Sequence, residues 1–455
     1  MSDPHVHDLV ITDTTVIPGD GTEPIPHATV VVDNGIVVAV TSGQSATPVV
    51  ARREINGSHS AVLPGFVDSH THIASNMLLR GLLDDLVGVE QFTWLDKMWL
   101  MKENFDHDTL YWASMCGLVE MAKSGITCFN EHFDGYAVTP QVRALEQLKL
   151  RATLGYGFAD GGTDRVNGLY AGMGPWSWAA VEDMNTALAG ARGIDGDRVR
   201  LALSPHAPYS TSPELWQAVR ACATDLGLPI HTHVAEGRRE TEYMDRTHGG
   251  RTTIEWLDEL GILGPDVTAA HCTMVSPTDM GVMAARGVKV AHCAISNAKG
   301  CSGTMDLRAL WAAGVQVGIA TDGPAGHNTL DMFQEMKFAT ITQKQLTGDP
   351  TFMTMRETLG LATHGSAQVM HRAELGTVTV GSPADLTVVN LDVAHVAPLY
   401  NVEAALVYSS RADDVTHTIV GGELIVDNGE VVGVDEEEVV AKFTEHAHAL
   451  RSRTF

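Results

Sequence analysis

The chain has 455 residues, 44% of them apolar and 19% charged, an ordinary globular composition with room for a large core. Its formal charge of −26 argues against a nucleic-acid groove or an anionic membrane surface as partner. Six scattered cysteines with no CxxC pair, no leader-like N-terminus and no apolar run of bilayer length make a soluble protein of the reducing cytoplasm the expectation.

Taken in order, the first elements are β-type. "HDLVITDTTVI" (7–17) is rich in β-branched residues, and "ATVVVDNGIVVAV" (28–40) reads as strand, Asn-Gly turn, strand. The far end repeats the pattern in "ADLTVVNLD" (384–392) and "GELIVDNGEVVGV" (422–434). The expectation is a small β-sandwich domain built from both termini, residues 1–60 and 381–440, with a helix or tail over 441–455. Between them, over 61–380, eight β-type runs alternate with helical segments: 62–72, 126–133, 151–158, 199–208, 228–236, 267–273, 288–296 and 315–323. Eight such units are the count of a (β/α)8 barrel, giving an α/β fold class. The alternative, a doubly wound open sheet, usually carries a Gly-rich phosphate turn, and no GxGxxG or P-loop occurs.

Seven of the eight runs end in or near a polar side chain: His70 and His72, His132, His206, His233 with Glu236, His271, His292, and Asp322. In a barrel these ends converge on one mouth, where active sites of the fold lie. "HTH" (70–72) places two imidazoles on one face of a strand. Adding His233 and Asp322 gives three nitrogens and one oxygen, a catalytic rather than a closed structural set. A divalent ion held there lowers the pKa of its bound water and gives hydroxide at neutral pH. Glu236, just past His233, is placed to take the water's proton and pass it on. His231 packs one layer deeper.

Together "LPGFVDSHTH", "LLRGLLDDL", "SPHAPYS", "HTHVAE", "AAHC" and "ATDGPAGHNTLDMFQEMK" resemble the amidohydrolase superfamily, in its branch of 5′-methylthioadenosine/S-adenosylhomocysteine deaminases and triazine hydrolases. The resemblance runs from about residue 8 to 435 and includes "GTVTVGSPADLTVVNLD". It implies one metal on His70, His72, His233 and Asp322, with Glu236 as proton shuttle. It implies that His271 orients the attacking water, that Asp322 also assists proton transfer, and that His206 contacts substrate. Relatives with two metals carry a bridging lysine after the fourth strand, and "SPHAPYS" has none. The nucleoside deaminases carry a Pro-x-Glu that holds ribose hydroxyls. In "MWLMKENF" (98–105), Glu103 keeps the distance from "WL" (94–95), but Met101 replaces the proline. Trp94 is counted with Glu103 as a candidate substrate contact. His327, in "DGPAGHN", either touches substrate or caps a helix beginning near Asn328.

The function expected is a metal-dependent aminohydrolase that deaminates an N-heterocycle such as an aminopurine or nucleoside by attack of metal-activated hydroxide. The alternative is cleavage of a C–Cl, C–N or C–S bond of a triazine, carbamate, thiocarbamate or urea on the same scaffold. A non-enzymatic scaffold of this fold is disfavoured by the intact set of six core residues. Zinc is the first expectation for the metal, with iron, manganese or cobalt able to use the same ligands. The partner expected is a small molecule, with the chain forming a homo-oligomer, a dimer or tetramer. The apolar segment 73–105 is read as partly a lid that favours a flat or hydrophobic substrate.

Overall fold

The computed structural model describes residues 5–43, 49–82, 84, 101, 104–133, 138–160 and 197–454. Trp94 and Glu103, with most of the apolar segment around them, lie outside the described residues.

Strands from both ends of the chain share one mixed nine-stranded sheet. The first five are β1 (Val6–Val16), β2 (Ile25–Asp33), β3 (Ile36–Ser42), β4 (Val50–Asn56) and β5 (Ser60–Pro64). The next eight build the barrel: β6 (Phe66–Thr71), β7 (Ile126–Phe133), β8 (Arg151–Phe158), β9 (Val199–Pro205), β10 (Ile230–Val234), β11 (Val267–His271), β12 (Lys289–His292) and β13 (Gln316–Ile319). The last four, β14 (Leu386–Asn390), β15 (Val415–Val420), β16 (Glu423–Asp427) and β17 (Glu430–Val431), return to the first sheet. Its order is β17-β16-β15-β14-β5-β1-β2-β3, with β4 beside β1. The hairpins turn at Asn34-Gly35, with φ of 51° and 75°, and at Asn428-Gly429, with φ of 51° and 81°. Both residues of each pair are left-handed, as a two-residue type I′ turn requires.

β5 joins the two halves of this sheet, parallel to β1 and antiparallel to β14. The run 62–72, read from sequence as one strand, is therefore the end of one strand and the whole of another. Gly65 separates them, because a Cβ there would stand 2.1 Å from Thr127 Cγ2.

The barrel strands pair in chain order, each parallel to the next. They are buried along almost their whole length, as strands covered on both faces are. Between β13 and β6 the seam is stitched near its C-terminal end. Asp322 N–H donates to His70 O at 2.9 Å, Ser69 Oγ to Ile319 O at 2.9 Å, and Thr321 N–H to the buried Asp68 at 3.0 Å. The outer helices start and stop where their sequence says. Ser212 caps Pro213–Leu226, which ends at the left-handed Gly227, and Thr252 and Ser276 open capping boxes for Thr253–Glu259 and Pro277–Arg286.

The C-terminal helix, Glu436–Thr454, is tied to the helix His107–Lys123 through Lys123–Glu436 at 2.7 Å and Thr109–His446 at 3.2 Å. Among the described residues no helix is long and apolar enough to cross a membrane.

Candidate active site

His70 lies near the end of β6 and His72 just past it, His233 stands in β10, and Asp322 follows β13. Ligand-type atoms of all four face one point. His72 Nε2 and His233 Nε2 are 3.1 Å apart, and Asp322 Oδ1 lies 3.4 Å from His70 Nε2 and 3.5 Å from His72 Nε2. The ligand atoms of His70, His72 and His233 all lie within 4.8 Å of one another. Ligands about 2.0–2.1 Å from a tetrahedral ion stand roughly 3.3 Å from each other. The spacings therefore suit a cation, and 3.4 Å is long for a charge-assisted hydrogen bond, which closes to about 2.7–2.9 Å.

The other nitrogens of His233 and His70 are already committed. His233 Nδ1 donates to His206 O at 2.6 Å, which leaves the lone pair on Nε2. His70 Nδ1 meets His231 Nε2 at 2.7 Å, so His231 sits behind the site as a support. Burial holds His70 down to about 3, and His231 and His233 well below the ordinary range. Neutral imidazoles with aimed lone pairs are what metal ligation needs.

Glu236 lies just past β10 and accepts a hydrogen bond from Tyr209. Desolvation raises its carboxyl above the usual glutamate value, with the neighbouring Asp322 adding to the rise and His271 and His72 opposing it. His271 Nδ1 donates to Asn297 Oδ1 at 2.8 Å, so its Nε2 carries the lone pair. Asp322 accepts from Ser296 Oγ at 2.5 Å and from Gly323 N–H at 2.7 Å. Burial pushes the Asp322 carboxyl up, but His70, His271 and His72 override it and hold the group well below the carboxylate range. Gly323 has no room for a side chain, since a Cβ would stand 2.1 Å from Asn76 Nδ2.

The backbone here is strained. Ala235 (φ 48°), His271 (74°), Cys272 (51°) and Asp322 (60°) are left-handed without being glycine. Each sits at or just past the end of β10, β11 or β13, and such conformations persist only where the surroundings impose them.

The remaining histidines divide. The His132 ring stands 4.4 Å from that of His233 and 5.2 Å from that of His72, inside the cluster. His206 binds Ser210 Oγ through Nδ1 at 2.8 Å, with its ring 4.9 Å from that of His233. His292 is buried in β12, which lowers it to about 4. His327 has no exposed side-chain surface: Nε2 lies 3.1 Å from Glu335 and Nδ1 3.0 Å from Thr329 Oγ1. The helix after it begins at Met332, capped by Asp331 rather than by His327. The position named from sequence as a substrate contact is thus turned into the protein interior, engaged at both nitrogens.

Sequence reasoning passed over Tyr209, Ser296, Asn297 and Gly323. Tyr209 stands in the quoted "SPHAPYS", and Ser296 and Asn297 follow β12 in "HCAISNAKG", where hydrogen-bonding side chains past a seventh strand were the available signal.

A model of the Amidohydrolase family matches residues 61–425. The chain is 36% identical over 399 residues to a 5-methylthioadenosine/S-adenosylhomocysteine deaminase of Syntrophomonas wolfei subsp. wolfei, covering 87% of this chain and 88% of that protein. It is 33% identical to a 5'-deoxyadenosine deaminase of Methanothermobacter thermautotrophicus, covering 97% and 98%. Among solved structures, an adenosine deaminase of Xanthomonas campestris with bound zinc superposes with a TM-score of 0.88 at 29% identity, covering 99% of this chain and all of that one. An atrazine chlorohydrolase of Arthrobacter aurescens TC1 complexed with zinc shares the fold, with a TM-score of 0.84 at 23% identity over 96% of this chain and all of that one.

Proposed function

The chain belongs to the amidohydrolase family, and on that premise we propose that it is a metal-dependent aminohydrolase whose substrate is an aminopurine nucleoside of the adenosine type. The observation that carries the reading is the convergence of three imidazoles and Asp322 on one point, with Glu236 and His271 beside it. The names of the two sequence relatives above, both deaminases of adenosine derivatives, supply the substrate class. Zinc is the ion that three imidazoles and one carboxylate favour.

His70, His72, His233 and Asp322 would hold the ion, which supplies a water of lowered pKa when bound. Deamination would require a water oxygen to add to the ring carbon that bears the amino group. Glu236 takes a proton from the water and delivers it to the adjacent ring nitrogen, the work of a positioned general base and acid. His271 Nε2, aimed by Asn297, accepts a hydrogen bond from the water and fixes its approach. Breaking the carbon–nitrogen bond then needs one more proton on the departing amine, and Asp322, next to Glu236, would take it from the added hydroxyl and pass it on, so that the hydroxyl becomes the ring carbonyl. Ring carbonyl and ammonia are the products, so substrate plus water balances.

The test is a panel of 5'-modified adenosines, free adenine, triazines and carbamates, assayed for ammonia and other products separately. Ammonia from the nucleosides is the expected outcome. Chloride or alkylamine from triazines, with no ammonia from any aminopurine, would replace this reading by the alternative hydrolase.

A further inference from the structure

Three glutamates with no exposed surface stand around the mouth of the barrel, and none has a place in the chemistry above. Glu131, in β7, accepts from the N–H groups of Ile73 at 2.8 Å and Ala74 at 3.2 Å, just past β6. Glu240, in the helix Arg238–Thr247, accepts from Ala235 N–H at 2.9 Å and Glu236 N–H at 3.0 Å, just past β10. Glu335, in the helix Met332–Thr347, accepts from Ala294 N–H at 2.5 Å and Ile295 N–H at 3.3 Å, just past β12.

The three arrangements have one design: a buried carboxylate takes two successive N–H groups where the chain leaves a barrel strand. Two of these places are helix starts whose own cap residues give no side-chain hydrogen bond, His72 for Ile73–Asn76 and Cys293 for Ala294–Lys299. There the glutamate supplies from elsewhere in the chain the acceptor that the first turn lacks. Burial pushes Glu131 and Glu240 up to about 7 and also raises Glu335, so each carboxyl is kept at an energetic cost.

What lies beside each clamp explains the cost. Glu131 fixes the turn directly after His72. Glu335 fixes the short helix whose Ser296 and Asn297 hold Asp322 and His271. Glu240 fixes Ala235, with its φ of 48°, and the backbone of Glu236 itself. Thr253 Oγ1 donates to Glu240 at 2.6 Å and holds that carboxylate in turn.

We propose that Glu131, Glu240 and Glu335 are positioning residues, each clamping the two N–H groups past a barrel strand and thereby aiming the side chains that bind metal and move protons. The proposal rests on the roles given above to Glu236, His271 and the ligands. A displacement of reacting groups by about 1 Å costs roughly a hundredfold in rate, so a clamp of this kind is visible in kcat.

The test centres on Glu240→Gln, which leaves one acceptor oxygen and turns an amide donor toward a backbone N–H. The expected result is a loss of about 10- to 100-fold in kcat, with KM within about threefold and bound metal unchanged. Hydrogen exchange at the amides of 235 and 236 should quicken, in the metal-free protein as well. Because Glu240 acts through Glu236, the double variant Glu236→Gln/Glu240→Gln should be no slower than Glu236→Gln alone. Glu335→Gln acts through His271 and Asp322, and its loss should persist in the Glu236→Gln background. Multiplying losses for the 236/240 pair, or unchanged exchange and kcat in Glu240→Gln, would overturn the proposal. If Glu240→Gln does not fold, Thr253→Val tests the same clamp by releasing one donor, with faster exchange at 235 and 236 expected and unchanged exchange counting against it. Full activity in Glu236→Gln would sink the proton-transfer role instead, while the exchange data still report on the clamp.

Discussion

Two His-x-His pairs of this chain meet an aspartate, and they do opposite things. In "HVH" (5–7), His5 Nε2 and His7 Nδ1 lie 2.7 and 2.6 Å from one oxygen of Asp33, and the His5 side chain is 69% exposed. In "HTH" (70–72), both Nε2 atoms stop 3.4 and 3.5 Å short of Asp322, and His70 is sealed from solvent. The first trio has closed its hydrogen bonds. The second is held apart, because His70 Nδ1 is tied to His231, and Asp322 to Ser296 and Gly323. The motif is common to both. What differs is whether the surroundings fix the second nitrogen and exclude water, and that is what separates a ligand set from a surface contact.

The widest break between the two regions is metal loading. His72→Ala and His233→Ala should reduce activity to background and strip bound metal, with the barrel still folded by circular dichroism. His5→Ala and His7→Ala should keep both full metal and full activity. Near-normal turnover with full metal in either buried variant would refute the ligand set.

Next in size is Glu236. Glu236→Gln keeps the shape and removes the proton acceptor, so kcat should fall by about a hundredfold or more while metal content stays at the wild-type level. A loss of only a few-fold would make Glu236 a bystander. The same residue sets a pH dependence. Desolvation raises the Glu236 carboxyl above the usual glutamate value. As pH falls the base is protonated, so kcat/KM should drop on the acid side with a midpoint above that of an exposed glutamate. A profile flat down to the ordinary glutamate range would show that the base is another group.

The contrast also shows what could be read in advance. The polar strand ends were legible because seven of the eight barrel strands are apolar runs that finish on or near a histidine or carboxylate, and the Asn-Gly hairpins because that dipeptide selects one turn. Residues 62–72 were read as one strand although Gly65 marks the change of sheet, since only the distant Thr127 shows why that glycine is needed. His327 stood between a substrate contact and a helix cap, because its partner Glu335 stands eight residues on, across a turn whose path a sequence does not give. The clamps were illegible for the same reason: Glu131 and Glu335 find their N–H groups only when the barrel brings separate segments together. Glu240 was the exception in principle, a glutamate at the third position of a helix directly after Glu236.

The smallest expected effect lies at the exposed trio. Asp33 is held below the ordinary aspartate range: desolvation acts to raise it, and the hydrogen bonds from His5 and His7 outweigh that. A folded-state value below the unfolded one means that the ionised carboxylate stabilises the fold. The contribution is present above the unfolded aspartate pKa and lost as pH falls through the folded one. Water screens His5 almost completely, so the pair is worth little, and exposed ion pairs contribute about 0–1 kcal/mol. Asp33 also accepts from Asp8 N–H at 3.0 Å, which keeps some of that small contribution through the backbone rather than through either imidazole. Asp33→Asn should therefore lower the melting temperature slightly at neutral pH, by less in high salt, and not at all below the folded carboxyl's titration. Activity and bound metal should match wild type throughout. A loss of metal in Asp33→Asn would mean that the exposed trio also holds an ion, and that burial is not what separates the two motifs.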